Sequence, residues 1–213
     1  MRFTLHDIAS VEESIQPITY DDRPYPSYIR AYPEFIRYFE KIDSIDIQDF
    51  IIGAHFVYGW MPTILKLNLK IEGVEQNNFI VDMANLVKRG ERIAEENIIR
   101  LSKVINNSIV GTSKVLHFIN PNIYAIWDSR VCEFIYNNSY RVQDPRAYKD
   151  YLINCAEVAN ENGFELFHRK INEKMGYPVT AFRAIEWVAY KAREYRAYAA
   201  QQQVEADGSP ISR

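Results

Sequence analysis

Apolar side chains recur at spacings of three and four residues through most of this chain, and each such run is closed by Gly, Pro or a capping side chain. That period is helical, since residues three and four apart share one face of an α-helix. Phe35, Ile36, Phe39 and Ile42 follow Pro33, which suits a first helical position. Asp46 can cap a helix carrying Phe50, Ile51, Ala54, Val57 and Tyr58. Further helices are predicted over 78–88, ending near Gly90, and over 95–106. Others begin at Asp128 and at Asp144-Pro145, another runs through Phe167 and Ile171 after Gly163, and the last is capped by Thr180. Leu65, Leu67, Leu69 and Ile71 alternate as a strand would, although Ile64 and Leu65 also suit a helix start. The predicted fold class is therefore all-α, a multi-helix domain with a minor strand near residues 64–71.

Domain limits follow from where the period stops. Residues 1–32 hold Asp21-Asp22-Arg23-Pro24-Tyr25-Pro26, a turn-rich stretch, and read as an irregular segment packed on the body. Residues 33–200 read as one helical domain. Residues 201–213 have few apolar groups and a Gly-Ser-Pro stretch, and read as a disordered tail. The chain has 213 residues, 47% hydrophobic and 25% charged, enough to bury a sizeable core in one domain. No apolar run reaches the roughly 20 residues of a membrane span, and the first residues lack the pattern of a secretory leader. The expected location is the cytoplasm, with no membrane partner. Cys132 and Cys155 show no CxxC spacing and read as buried free thiols.

The formal net charge of −3 excludes a whole-chain field that attracts nucleic acid, so any such contact must use a local basic face. Lys103, Lys114, Arg130 and Arg141 offer one; Arg169, Lys170 and Lys174 form a second cluster. Lys191, Arg193 and Arg196 form a third, but Glu186 and Glu194 are interleaved with it, as on a solvated helix face. His6, His55, His117 and His168 lack metal-ligand spacing, so neither metal nor organic cofactor is expected.

One stretch is richer in chemistry. Val110-Gly111-Thr112-Ser113-Lys114 reads as a tight turn opening a helix, and Ala125-Ile126-Trp127-Asp128-Ser129-Arg130-Val131 places a carboxylate at the start of the next. Asp128 suits a plain N-cap and also a carboxylate at a cleft; the two roles are compatible. Together these segments resemble the helix-hairpin-helix DNA glycosylases, in particular divergent 8-oxoguanine-glycosylase-like proteins. The resemblance runs from Ser108 to Val131, with Ile109 where the family has a first glycine and Lys114 one residue beyond the family's lysine.

The resemblance implies a base-excising hydrolase acting on duplex DNA, with Asp128 as catalytic carboxylate and Lys114 as candidate nucleophile or phosphate contact. Lys114's register implies a monofunctional enzyme rather than a lyase. Gly111, Thr112 and Ser113 would bind backbone phosphate through helix-start N–H groups, joined by Arg130. His117, Trp127, Trp60 and Tyr58 would line the pocket for a flipped base. Each also has a plain reading: His117 as a packed core histidine, and Tyr58-Gly59-Trp60-Met61-Pro62 as a helix end closed by large side chains. The alternative function is a non-enzymatic helical binding protein that keeps the scaffold without the catalysis.

Overall fold

The computed structural model describes residues 2–18, 26–60 and 63–206, and the side chains of these except 26–28 and 195–206. Ten helices and one two-stranded hairpin make up the described residues, an all-α fold. The helices are α1 (Leu5–Glu12), α2 (Pro26–Glu40), α3 (Ile47–Gly59), α4 (Asn77–Lys88) and α5 (Glu95–Val104). They continue as α6 (Ile109–Ile119), α7 (Ser129–Tyr136), α8 (Pro145–Val158), α9 (Phe164–Met175) and α10 (Ala181–Ala206).

Caps set most of the starts. Asp46 and Asp49 form a capping box on α3, Asp128 accepts from Val131 N on α7, and Asp144 precedes Pro145 on α8. Thr180 Oγ1 accepts from Arg183 N at the start of α10. The strand element is smaller than the alternation suggested. Antiparallel β1 (Lys70–Ile71) and β2 (Val74–Glu75) meet at Glu72-Gly73, both with positive φ, and Leu67 makes a single bridge to Ile105.

Three boundaries differ from expectation. The first 32 residues are not irregular throughout, because a Thr4–Asp7 capping box opens α1 and α2 begins at Pro26. Pro33 thus lies inside α2 rather than at its start. It removes one backbone hydrogen bond, a loss offset by burial of Ile29, Tyr32 and Phe39 from the same helix. Residues 19–25, including most of the turn-rich stretch, lie outside the described residues. The segment expected to be a disordered tail is helical to Ala206, where α10 ends; 207–213 lie outside the described residues.

Two groups of helices share one continuous core. In the first, α2, α3, α4 and α5 pack around α6. In the second, α1, α7, α8 and α9 pack against α10. Residues 124–128 connect the groups as a buried, non-helical segment, with Tyr124, Ala125 and Trp127 fully buried. A buried backbone without a ladder must find other partners. Tyr124 O meets His117 Nδ1 at 2.7 Å, Ala125 O accepts from Tyr148 Oη at 3.3 Å, and Trp127 N donates to Ser113 Oγ at 3.0 Å. Side chains of α6 and α8 thereby hold the segment that delivers Asp128.

Candidate active site

A cavity of about 1190 Å³ opens where the two groups meet. Tyr32 of α2, Tyr58 of α3, and Gly111 and Lys114 of α6 face it from the first group. From the second come Asp128 and Arg130 at the start of α7, and Arg183, Glu186, Trp187 and Tyr190 of α10. Between helices is a usual place for a ligand site, and aromatic walls with few polar groups are its usual make-up.

Asp128 takes both of the roles its sequence position allowed. Its Oδ1 accepts from Val131 N at 3.0 Å, which caps α7. Its Oδ2 accepts no hydrogen bond from any described residue, and the side chain lies on the cavity wall, half-buried. Lys114, also half-buried on that wall, makes no hydrogen bond or close ion pair among the described residues. Burial lowers its pKa, while the charges of Asp128 and Glu186 act to raise it. A lysine and a carboxylate thus share one cavity, the Lys114 Nζ and the Asp128 Oδ2 each without a hydrogen bond to any described residue.

The hairpin is not where the sequence placed it. Residues 110–114 lie within α6, which starts at Ile109 under the Ser108 cap. The chain reverses earlier, at Asn106 and Asn107, whose φ values of 55° and 50° are left-handed. Three of the first four N–H groups of α6 are already used: Ile109 N donates to Gln143 Oε1, Gly111 N to Ser108 Oγ and Thr112 N to Ser108 O. The expected row of open phosphate donors is therefore largely filled from within the protein.

Gly111 has a different reason to be glycine, since a Cβ there would stand 2.0 Å from the Tyr58 hydroxyl oxygen. Thr112 and Ser113 are fully buried and cannot reach a phosphate. Thr112 Oγ1 donates to Ser108 O, and Ser113 Oγ lies 3.1 Å from Trp127 O as well as accepting from Trp127 N.

His117 and Trp127 are also placed away from the cavity wall. His117 is fully buried between Tyr124 O and Tyr32 Oη, the latter 2.8 Å from Nε2. A carbonyl can only accept, so Nδ1 carries the proton and Nε2 accepts from Tyr32. Burial and the nearby Arg183 charge push His117 down to about 3, so the ring stays neutral. Trp127 packs its ring against Tyr148 and Tyr151 and donates Nε1–H to Val142 O. Both residues position Asp128 instead of touching a ligand.

Tyr58 and Trp60 do line the cavity, and burial pushes the Tyr58 hydroxyl up to about 12. Met61 and Pro62 lie outside the described residues. Arg130 lines the cavity too, but it is engaged: its guanidinium lies 4.4 Å over the Tyr190 ring and Nη1 pairs with Glu194 at 3.1 Å. Lys170 and Lys174, expected on a basic patch, pair with the buried Glu12 of α1.

The largest omission of the sequence reading is α10. Glu186, grouped with a solvated face, is 2% exposed and paired with Arg183. Burial pushes its carboxyl up to about 7 against the pull of Arg183. Arg183, Glu186, Trp187 and Tyr190 recur at helical spacing beside the core stripe of Phe182, Ile185, Val188 and Ala189. A charged pair one turn apart, flanked by large aromatic residues, was the available signal.

No protein-family model, no curated protein and no solved structure matches this chain.

Proposed function

We propose that this protein is a DNA glycosylase-like enzyme that accepts an extruded base in the cavity and cleaves its N-glycosidic bond, with Asp128 as catalytic carboxylate. One observation carries the reading. Asp128 spends one oxygen on the α7 cap, while its other oxygen and the Lys114 amine, on the same cavity wall, are unpaired among the described residues. As the bond from base nitrogen to sugar C1′ breaks, its electron pair leaves with the base and positive charge grows on the sugar. A fixed carboxylate at the rim stabilises that charge. It can also take a proton from an attacking water. The cavity is roomy enough for a flipped nucleoside, and its aromatic walls suit stacking. Lys114, its pKa lowered by burial, is the candidate nucleophile for a covalent variant of the same step.

The test is incubation of duplexes carrying oxidised, deaminated or alkylated bases with the wild type and with Asp128→Asn. The expected result is an abasic product from at least one lesion, lost in Asp128→Asn while the melting temperature holds. Absence of product from every lesion, with no duplex binding at low salt, overturns the reading. Borohydride trapping of a protein–DNA adduct that disappears in Lys114→Gln would make the enzyme a lyase; hydrolysis without an adduct keeps it monofunctional.

A second reading, a non-enzymatic binding protein on the same scaffold, is favoured by the start of α6, most of whose N–H groups are occupied from within. On that reading Asp128→Ala costs about 1 kcal/mol as a lost cap and changes no activity.

A further inference from the structure

Lys114 is half-buried on the cavity wall, and its amine has no close carboxylate among the described residues. An amine so placed has lost part of its water, and its charge depends on groups that act from a distance. Three such charges share the wall: Asp128 at the start of α7, and Arg183 and Glu186 on α10. The two carboxylates act to keep the proton on Lys114, and the guanidinium acts against them. The other groups on the wall weigh less. Tyr32 of α2 and Tyr58 of α3, with Tyr177 and Tyr190, are phenols, a group uncharged at neutral pH. His117 of α6 is buried and neutral. No described residue of α4 or α5 lines the cavity. Arg130 and Lys191 both pair with Glu194, two turns beyond Glu186 on α10.

Glu186 has a double hold on Lys114. It attracts the ammonium, and it balances Arg183, whose Nη1 donates to Glu186 Oε2. Arg183 is 7% exposed and Glu186 2%, so water screens neither well. The guanidinium also lies 4.7 Å from the centre of the Tyr32 ring, a contact that holds it in place. If the charge of Glu186 is removed, two changes fall on Lys114 together. The amine loses an attracting carboxylate and meets an unbalanced guanidinium. Both favour the neutral amine, which is the nucleophilic form.

We propose that Glu186, while it balances Arg183, holds Lys114 as an ammonium and so keeps it from acting as a nucleophile. Glu186 is thus a positioning residue that acts through Lys114 and needs no contact with substrate. The assignment rests on the base-excision reading above, in which Lys114 is the candidate nucleophile and Asp128 the catalytic carboxylate. It gives that enzyme a reason to be monofunctional that lies on α10.

Acetic anhydride tests this on the full chain without nucleic acid. It acylates the neutral amine alone: the nitrogen attacks a carbonyl carbon, acetate leaves, and the nitrogen's proton goes to water. The rate at Lys114, read by mass spectrometry of its peptide, is followed against pH. Glu186→Gln is expected to lower the midpoint by about one pH unit, or about tenfold faster labelling at a fixed pH below it. Glu186→Asp keeps the charge and should bring the midpoint back towards that of the wild type. Loosening of the fold would admit water and raise the midpoint, so damage has the opposite sign to the expected effect. A midpoint in Glu186→Gln that is unchanged or raised overturns the proposal. If that variant does not fold, the wild-type profile decides. The logarithm of its rate should climb one-for-one with pH except for a shallow step near 7, where Glu186 ionises, and a climb without the step overturns the proposal. Excision of a base by a wild type whose Lys114 ignores Glu186 overturns this assignment and spares the base-excision reading. A lowered midpoint in Glu186→Gln, with no base excised by the wild type, does the reverse.

Discussion

His117 and Glu186 both have shifted protons that link stability to pH, and they pull in opposite directions. His117 titrates near 6.5 when unfolded and is held down to about 3 in the fold. Between those values the unfolded chain binds more protons, so this residue makes stability rise with pH. Glu186 titrates near 4.5 when unfolded and is pushed up to about 7. There the native state binds more protons, and stability falls as pH rises through that window. The two slopes oppose each other between about 4.5 and 6.5. Glu186→Gln keeps the acceptor for Arg183 and removes one slope. Its melting temperature is expected to climb more steeply with pH than that of the wild type across this window. Parallel curves would show that Glu186 carries no extra native-state proton.

At the scale of elements, α6 is both a scaffold wall and a clamp. Ser113 and His117, one turn apart, grip the segment 124–128 from the same face: Ser113 Oγ accepts from Trp127 N, and its single proton lies between Val110 O at 2.8 Å and Trp127 O at 3.1 Å. Ser113→Ala leaves Trp127 N–H buried and unpaired, which is expected to cost about 1 to 3 kcal/mol by denaturant titration. On the base-excision proposal, product formation should fall more than stability explains, because Asp128 follows directly. A loss under about 0.5 kcal/mol would mean another group satisfies that N–H.

Caps were the legible part of these elements. Asp46, Asp128, Asp144 and Thr180 all start helices, since capping depends on a side chain and the backbone two or three residues ahead. The hairpin was not legible. Gly111 looked like a turn glycine, but the requirement comes from Tyr58, distant in sequence on α3. Asn106 and Asn107, which do turn, carry the weaker signal of a residue that merely tolerates the left-handed region.

Across the whole molecule, the amino-terminal residues tie into the second group. Asn154 of α8 donates to Phe3 O and accepts from Phe3 N, both at 2.9 Å, while Lys174 of α9 pairs with Glu12 at the end of α1. Asn154→Ala empties both bonds in a buried place and is expected to cost about 2 to 4 kcal/mol, read from the denaturation midpoint. An unchanged midpoint would show that this attachment adds nothing to stability. Such long-range bonds are invisible to periodicity, which is why residues 1–32 read as irregular and why Glu186 read as surface. Fold class and the aspartate were local matters; the cavity needed both groups of helices at once.

The placement of the cavity between those groups has a consequence for how such a protein can change. The carboxylate is delivered by the segment that α6 clamps, whereas the Arg183–Glu186 pair sits on α10. Substitutions on the inner face of α10 would change that wall of the cavity while the Ser113–Trp127 bond, made by α6, keeps its own partners. Variation in what the cavity accepts thus has a route along one helix that leaves the clamp on the other untouched.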